Sequence, residues 1–372
     1  MGKIKVLVCD DSALMRRTLK NIIERDPLLE VVGTARDGKD AIAKAEELKP
    51  DVITLDINMP KMDGLTALKI LVEKAIAPVI MVSSLTQEGA PITLEALEIG
   101  AFDFVPKPGG TVSLNLEEIA EELIAKIKAA ARQGTARKLA QRRKRLAPLS
   151  LQKKISVPAF RPERPALKSL QDLPPFAAVA IGISTGGPKT IFDVLPALPA
   201  DLPAAVFLVQ HMPPAFTGSY AERLDKACAL RVLHAETGQV VEPGVCFVGK
   251  GGYHLKVMRR VKGDLIIRCT KSPKHLFMPS VDVMMRSVLE IFGPLTVGVL
   301  MTGMGDDGAD AMVEIRRAGG ITIAESKESA IVFGMPREAI ERGGAEIVAP
   351  SWEIARHIVR AVEKVLAKRK AA

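Results

Sequence analysis

The chain is poor in cysteine: its 372 residues include only Cys9, Cys228, Cys246 and Cys269. These four residues lie far apart and lack the paired spacing that a zinc site or a redox-active dithiol requires. We therefore expect four reduced, mostly buried thiols rather than a metal or redox centre.

Long hydrophobic runs are also missing. No apolar stretch approaches the roughly 20 residues that a helix needs to span a bilayer. The chain enters a strand-like run within a few residues of Met1, which leaves no room for a signal peptide. With 48% hydrophobic and 26% charged residues, we expect a soluble, cytoplasmic globular protein, and the length predicts two domains.

The chain as a whole has no net charge outside one segment. Residues 134–172 hold 11 Lys or Arg and 2 Asp or Glu, a net charge of +9 that equals the net charge of the whole chain. The segment contains four prolines and lacks sustained periodicity, which predicts a linker. A nucleic-acid patch at residues 142–145 is the alternative, but aromatic residues for base stacking are absent apart from Phe160. We favour a solvated tether with a reach of roughly 35 Å, long enough for one domain to fold back on the other.

Short apolar segments alternate with helical patterns in the first part of the chain. These segments are residues 5–9, 30–33, 52–55, 79–82 and 102–105. Five strands alternating with helices predict a doubly wound parallel sheet, whose ligand sites lie at the carboxyl ends of the strands. The pattern of residues 116–131 predicts a final helix that Gln133 and Gly134 would end.

Polar residues follow four of these predicted strands: Asp10, Asp11, Asp56, Ser83 and Lys107. Three carboxylates at one sheet edge repel each other unless a cation compensates, and an all-oxygen cluster suits Mg²⁺. A carboxylate beside Mg²⁺ can attack a phosphoryl group, while the lysine and the hydroxyl would hold phosphate oxygens.

A second kind of strand end occurs within residues 177–188, where an apolar run stops in glycines that flank one serine. Gly182, Ser184 and Gly186 fit the Gly-x-Ser-x-Gly pattern of a nucleophile elbow, and Pro188 suits the first turn of a helix. A glycine-rich turn that holds phosphate or nothing is the alternative interpretation.

Two later buried-strand patterns end at His211 and at the run 302–308, which contains two aspartates. Ser184, His211 and an aspartate therefore fall at one edge of a predicted parallel sheet. Their chain order differs from that of α/β-hydrolases, but a triad is defined by geometry and roles. Asp282 is a further candidate carboxylate, which we discount because helix starts favour aspartate for capping alone.

Residues 247–257 predict a β-hairpin that residues 265–269 extend. We expect no chemistry there.

Residues 1 to about 125 resemble a response-regulator receiver domain. The resemblance implies that Asp10, Asp11 and the backbone carbonyl of Asn58 bind Mg²⁺ together with Asp56. It also implies that Asp56 is the phosphoacceptor, Ser83 the hydroxyl switch residue, Phe104 the switch aromatic and Lys107 the lysine of the Lys-Pro motif.

Residues from about 175 to 368 resemble the catalytic domain of the chemotaxis protein-glutamate methylesterases, the CheB family. The matching stretches are residues 182–187, 210–213, 279–282, 302–308 and 332–340. The resemblance implies that Ser184 is the nucleophile, His211 the general base and then acid, and Asp307 the residue that orients the histidine. The Met304 amide is the candidate oxyanion donor. The family commonly has Asn at the position of Asp306, so the choice between the adjacent aspartates stays open here.

We thus predict two doubly wound parallel-sheet α/β domains, the second with an added β-hairpin: a receiver at 1–130, a linker at 131–174 and a methylesterase domain at 175–368. The resemblance implies phosphorylation-regulated hydrolysis of glutamyl methyl esters on chemoreceptors, with deamidation of receptor glutamines, in chemotactic adaptation. It also implies a chemotaxis histidine kinase as phosphodonor and no cofactor for ester hydrolysis, and we expect a monomer that neither binds nucleic acid nor inserts into a membrane. The rival hypotheses are a receiver-controlled nucleic-acid regulator and a receiver joined to an inactive docking domain.

Overall fold

The computed structural model describes residues 2–83, 89–107, 116–144, 173–261 and 263–370. The chain divides into two compact units, Met1–Lys153 and Lys154–Ala372. Most of the predicted linker lies outside the described residues, and the domain boundaries drawn from the sequence stay predictions. Within the described ranges, no helix combines the length and the apolar character needed to cross a bilayer.

In its described part, the first unit alternates strands and helices. The elements are β1 (Ile4–Cys9), α1 (Ala13–Ile23), β2 (Leu29–Ala35), α2 (Gly38–Leu48), β3 (Val52–Asp56), α3 (Gly64–Glu73), β4 (Val79–Ser83), α4 (Ala90–Ile99), β5 (Asp103–Pro106) and α5 (Leu116–Lys144). The strands pair in parallel in the order β2-β1-β3-β4-β5. The strand order therefore reverses between β1 and β3, the place where ligands bind in open sheets of this kind.

Helix α5 is longer than the sequence pattern indicated. It continues through Gly134 to Lys144, so the predicted helix end at Gln133 and Gly134 is wrong. A glycine inside a helix costs about 1 kcal/mol relative to alanine. The alanine, arginine, lysine, leucine and glutamine residues that follow it are strong helix formers and compensate for that cost.

The second unit is built on a larger sheet. Its elements are β6 (Ala177–Ile183), α6 (Gly187–Thr190), β7 (Ala204–Gln210), α7 (Pro214–Ala227), β8 (Arg231–His234), β9 (Val245–Val248), β10 (His254–Arg259), β11 (Leu265–Thr270), α8 (Val281–Phe292), β12 (Thr296–Leu300), α9 (Ala309–Arg317), β13 (Ile321–Glu325), α10 (Met335–Glu341), β14 (Ile347–Ala349) and α11 (Ser351–Lys370). Seven strands form a parallel sheet in the order β14-β13-β12-β6-β7-β9-β8. All seven residues of β6 and of β7 are buried, as expected for central strands covered on both faces. The predicted parallel-sheet α/β class is confirmed for both units.

The hairpin differs from its prediction in one strand. β10 and β11 pair antiparallel, with His254 opposite Thr270 and Arg259 opposite Leu265. Val245–Val248, whose end we expected to open the hairpin, instead pairs in parallel with β7 in the main sheet. Its four residues are all buried, which suits an interior strand of a parallel sheet better than a hairpin edge.

A buried ion pair joins β5 to α5 in the first unit. Lys126 Nζ lies 3.3 Å from Asp103 and 2.7 Å from Glu122, and it donates to the Phe104 carbonyl oxygen at 2.7 Å. Both Lys126 and Asp103 are buried. Removing one partner from such a pair leaves an uncompensated charge in the interior.

We therefore expect Lys126→Ala to lower the free energy of unfolding of the first unit by about 3 kcal/mol. Amide hydrogen exchange of β1 and β3 measures this, because protection of central strands reports the opening of the whole unit. The matched control is Lys128→Ala on the same helix, which removes a partly exposed pair with Asp26 and should cost less than about 1 kcal/mol. Equal effects of the two variants would contradict the interpretation.

Candidate functional site

Three neighbouring strands of the second sheet end side by side at its strand-order reversal. Ile183 of β6 lies opposite Gln210 of β7, and Gly182 lies opposite Leu300 of β12. The residues that follow these strands therefore meet at one edge. The turn is tied down by backbone hydrogen bonds, among them the Ser184 N–H donating to the Thr302 oxygen at 2.9 Å.

The glycines of the serine turn are required by close contacts. A Cβ at position 182 would lie 2.2 Å from a methyl carbon of Val281. Gly186 has a φ of +79° and faces Ile331. Among the described residues of this turn, the left-handed conformation falls on Gly186 and not on Ser184. The turn thus bends sharply without forcing a side-chain-bearing residue into a disfavoured conformation.

The structure brings together the serine, the histidine and one aspartate predicted from the sequence. His211 Nδ1 lies 3.1 Å from Ser184 Oγ, and His211 Nε2 lies 2.8 Å from Asp307 Oδ2. The tautomer that donates Nε2–H to the carboxylate leaves Nδ1 as an acceptor for the serine hydroxyl. This is the arrangement of a nucleophile, its base and a group that orients the base.

Asp307 accepts four hydrogen bonds, three of them from residues at the start of helix α8. Its Oδ1 accepts from Ser280 Oγ at 2.8 Å and from the Asp282 N–H at 3.0 Å, and its Oδ2 accepts from the Val281 N–H at 2.7 Å in addition to His211. Burial raises the pKa of Asp307, but the bonds from His211 and from the backbone more than offset it and hold the pKa at about 2. The carboxylate therefore stays charged beside the imidazole.

The other two candidate carboxylates point elsewhere. The Asp306 carboxylate pairs with Arg342 at 2.6 Å and is largely exposed. The Asp282 carboxylate accepts from the Ala311 N–H at 2.9 Å and so links α8 to α9. Among the three aspartates, only Asp307 contacts His211.

Met304 follows a residue that packs against the serine. The preceding residue, Gly303, packs so tightly on Ser184 that a Cβ at position 303 would lie 2.8 Å from the serine Cβ. Within the part of the chain that the structure describes, the Met304 N–H donates to no protein acceptor. Its position and its unused donor are consistent with the oxyanion role that the sequence comparison assigned.

Two residues that the sequence argument missed surround the histidine. Phe277 stacks on His211, with ring centroids 4.3 Å apart and planes 8° apart. His254 is buried; its Nδ1 accepts from the Ser280 N–H at 3.2 Å and its Nε2 lies 2.8 Å from the Pro273 carbonyl oxygen. His254 thereby connects the Asp307 network to the loop that carries Phe277. His254 lies in the hairpin for which we expected no chemistry, and Phe277 lies in a segment for which we made no prediction.

A buried acid lies behind the serine turn. Glu325, at the end of β13, accepts from the Thr302 N–H at 2.7 Å and from Ser329 Oγ at 2.7 Å. Burial raises the pKa of Glu325 to about 7, against the smaller opposing effect of these two bonds. The Thr302 carbonyl oxygen in turn accepts a hydrogen bond from the Ser184 N–H. Glu325 therefore supports the serine turn through Thr302 without contacting the triad.

In the first unit the three predicted acidic residues form one cluster. Asp10, Asp11 and Asp56 each offer an oxygen within 4.8 Å of the others. Lys107 Nζ lies 3.0 Å from Asp10 Oδ2 and 2.8 Å from Asp56 Oδ2. Burial raises the pKa of Asp56, and the ion pair with Lys107 only partly offsets it. Three carboxylates against one ammonium leave an excess of two negative charges, which fits a divalent cation with oxygen ligands.

The remaining predicted residues of this unit lie around the cluster. The buried Ser83 hydroxyl is 2.9 Å from Thr93 Oγ1 of α4. Phe104 is buried, with Lys126 Nζ 5.4 Å from its ring centroid. Asn58 is exposed, two residues beyond Asp56. In this structure the serine side chain contacts a helix, and the aromatic side chain packs inward.

Comparisons with known proteins agree with both units. Residues 6–117 match the family model of the response regulator receiver domain, and residues 179–358 match that of the CheB methylesterase. The protein-glutamate methylesterase/protein-glutamine glutaminase 3 of Syntrophomonas wolfei is 58% identical over 97% of this chain and 100% of its own length. The protein-glutamate methylesterase/protein-glutamine glutaminase of Caldanaerobacter subterraneus is 52% identical over 97% of this chain and 97% of its own length. A Pyrococcus horikoshii relative of that name is 49% identical over 97% of this chain and 94% of its own.

The fold and the two sites define a receiver domain joined to a parallel-sheet domain with a serine, histidine and aspartate arrangement. The chain belongs to the CheB family of protein-glutamate methylesterases/protein-glutamine glutaminases. The resemblance inferred from the sequence is confirmed.

The raised pKa of Glu325 predicts a pH dependence of stability. The folded protein keeps a proton that the unfolded chain loses between its ordinary pKa of 4.5 and about 7. The contribution of Glu325 to stability is therefore fully present below pH 4.5 and is lost as the pH rises through this window, by up to about 3 kcal/mol. Glu325→Gln should remove this component, because the amide keeps an acceptor for Thr302 and cannot ionise.

Urea unfolding of both forms between pH 4.5 and 8, followed by fluorescence of Trp352, measures the difference. Trp352 is the single tryptophan and lies in the second unit. Parallel stability curves for the wild type and the variant would show that Glu325 stays ionised in the folded protein.

Proposed function

We propose that this protein hydrolyses glutamyl 5-O-methyl esters on chemoreceptors and that phosphorylation of its receiver domain regulates the reaction. The main support for this proposal is the geometry of Ser184, His211 and Asp307. The histidine lies 3.1 Å from the serine Oγ and 2.8 Å from the aspartate Oδ2. The rival nucleic-acid regulator requires a compact helical output domain, whereas the second unit is a seven-stranded parallel sheet. An inactive docking domain would not need a serine, a histidine and an aspartate that are hydrogen-bonded to one another in this order.

In the first half of the reaction, Ser184 Oγ attacks the ester carbonyl carbon while Nδ1 of His211 takes the hydroxyl proton. Asp307 stabilises the imidazolium that forms. His211 then gives the proton to the departing methoxide, so methanol leaves and a glutamyl acyl group stays on the serine.

In the second half, His211 takes a proton from water, and the resulting hydroxide attacks the acyl-serine. The carboxylate product leaves as the proton returns to Ser184. The Met304 N–H is the proposed donor to the oxyanion in both halves. Phe277 covers one face of the imidazole and reduces its contact with water, which strengthens the charge interactions inside the site.

We also propose deamidation of receptor glutamines at the same site. An amide carbonyl accepts the same attack, and the proton on His211 would leave with ammonia instead of methanol. The names of the three relatives, each of which pairs the esterase with a glutaminase, support this second activity.

The first unit is the proposed regulatory site. Asp56 would accept a phosphoryl group from a chemotaxis histidine kinase, and Asp10, Asp11, Asp56 and the Asn58 carbonyl would hold Mg²⁺. The cation, when bound, supplies positive charge that offsets repulsion between the acceptor carboxylate and the phosphoryl oxygens. Lys107 is placed to hold a phosphate oxygen, and Ser83 and Phe104 are the proposed switch residues.

Ester hydrolysis is proposed to need no cofactor, because the triad supplies its own base and acid. We place the protein in the cytoplasm, where a histidine kinase and the receptor segments would both be accessible. A monomeric state and the absence of nucleic-acid binding and of membrane insertion stay predictions.

Ser184→Ala should abolish methanol release from methyl-labelled receptors, because it removes the attacking oxygen. Losses for triad nucleophiles are on the order of 10⁴ to 10⁶ in rate. A change in the thermal unfolding of the variant would be small, since one oxygen leaves a packed turn. More than a tenth of wild-type activity in the variant would rule out the serine mechanism.

Asp307→Asn should lower the rate of methanol release by about 10⁴, because an amide favours the wrong histidine tautomer and cannot stabilise the imidazolium. The matched control is Asp306→Asn, which alters only the exposed pair with Arg342 and should change the rate less than twofold or so. A reversal of the two effects would assign the orienting role to Asp306.

Asp56 should be phosphorylated by a small phosphodonor in the presence of Mg²⁺, and chelation of the metal should block the reaction. The phosphodonor should also change the rate of methanol release by the full chain, but not by an Asp56→Asn variant. Phosphate incorporation by Asp56→Asn equal to that of the wild type would place the acceptor elsewhere.

A further inference from the structure

The charge balance outside the linker conceals a local excess of positive charge. Residues 250–274 contain eight Lys or Arg and one acidic residue, Asp264. This stretch comprises the β10–β11 hairpin and the loops at its two ends. The excess therefore belongs to one structural feature of the second unit.

The loop that enters the hairpin packs beside the catalytic histidine. The Gly249 N–H donates to the Leu208 carbonyl oxygen of β7 at 2.8 Å. A Cβ at Gly251 would lie 2.5 Å from the Pro214 Cα and 2.9 Å from the Pro213 carbonyl carbon. Since His211 lies two residues before Pro213, Lys250 and its neighbours lie at the active-site edge of the sheet.

The loop that leaves the hairpin, residues 271–278, reaches the same place. Its Phe277 stacks on His211, and its Pro273 carbonyl oxygen is held by the buried His254. Next to this anchored aromatic ring, Leu276 is 81% exposed and Met278 is 38% exposed. An apolar surface therefore adjoins the reacting groups.

Three lysines lie on these two loops. Lys250 and Lys271 lie 5.7 and 5.2 Å from the ring centroid of Tyr253, so the two loops meet at this tyrosine. Lys271 and Lys274 are exposed. Among the described residues, no carboxylate forms an ion pair with any of the three lysines. By contrast, Arg342 on the same unit pairs with three acidic side chains.

We propose that this basic rim, comprising Lys250, Tyr253, Lys271, Lys274 and Leu276, docks an acidic helical segment of the substrate receptor. The proposal rests on the proposed function, because that function defines the substrate. Each ester or amide hydrolysed leaves a carboxylate on the segment, so the substrate becomes more negative as the reaction proceeds. A helix presents such groups one turn apart, at 5.4 Å along its axis.

The rim then has two consequences for the reaction. Unpaired ammonium groups attract the anionic segment and raise the rate of encounter at low ionic strength. Carboxylates already formed remain favourable contacts while a neighbouring ester enters the triad. Leu276 supplies an apolar contact for the helix face beside the reacting side chain.

The test uses two synthetic helical peptides that carry one glutamyl methyl ester. In the first, glutamates lie one turn to either side of the ester; in the second, alanines replace them. Binding is measured by fluorescence anisotropy with the full chain carrying Ser184→Ala, at about 0.01 M ionic strength, where charges act over about 30 Å. This measurement does not depend on hydrolysis, whereas methanol release by the wild-type chain tests the proposed function separately.

The matched variants reverse two charges each. K271E/K274E alters the rim, and K226E/K368E alters exposed lysines near the carboxyl ends of α7 and α11. Both helix ends lie at the opposite edge of the sheet, as the hydrogen bond from Arg369 to the Leu173 oxygen before β6 shows for α11. K271Q/K274Q removes the rim charges without reversing them.

We expect the acidic peptide to bind at least about 10-fold more tightly than the alanine peptide. K271E/K274E should abolish this preference, K271Q/K274Q should reduce it, and K226E/K368E should keep it. Equal affinity for the two peptides, or equal losses in the two charge-reversed variants, would overturn the proposal. Rim-dependent binding to anionic phospholipid vesicles without a preference between the peptides would overturn it in favour of a membrane surface.

Discussion

The carboxylate of Asp307 is the group on which the catalytic edge depends. It takes a hydrogen bond from His211 and three more from the start of helix α8, two of them from backbone N–H groups. A buried carboxylate without such donors would be unstable in its charged form. Here the helix terminus stabilises the charge, and the same contacts fix the helix, the loop after β12 and the imidazole relative to one another.

Both units place their polar groups where the strand order of a parallel sheet reverses, yet they manage charge in opposite ways. The first unit gathers three carboxylates around Lys107 and leaves an excess of negative charge for a cation. The second unit satisfies the Asp307 carboxylate with protein donors alone. The first edge therefore suits phosphoryl chemistry with a metal, and the second suits proton transfer between a serine and a histidine.

The surroundings of the triad are as ordered as the triad itself. Glu325 supports the serine turn from beneath through Thr302, and His254 anchors the loop whose Phe277 covers the imidazole. These contacts immobilise side chains that would otherwise need to be ordered during the reaction. The exposed Lys271 and Lys274 lie on the same loop as Phe277, where we propose that the substrate docks.

The amino-acid sequence alone predicts the parallel sheets, the strand ends where polar residues gather and the choice of Ser184, His211 and Asp56 as candidate site residues, because buried strands have continuous apolar runs and polar residues directly after them stand out. It did not determine the end of α5 or the partner of β9, since local propensity and periodicity say little about which tertiary contacts win. That Asp307 contacts His211 while Asp306 pairs with Arg342 is visible only in the folded chain. The two residues are both aspartates and stand side by side in one motif, so the sequence does not distinguish them. The backbone turns the Asp307 side chain toward buried donors at α8 and the Asp306 side chain toward solvent and Arg342. The contacts of Phe277 and His254 are likewise visible only in the folded chain, because they join separate segments and leave no pattern along the sequence.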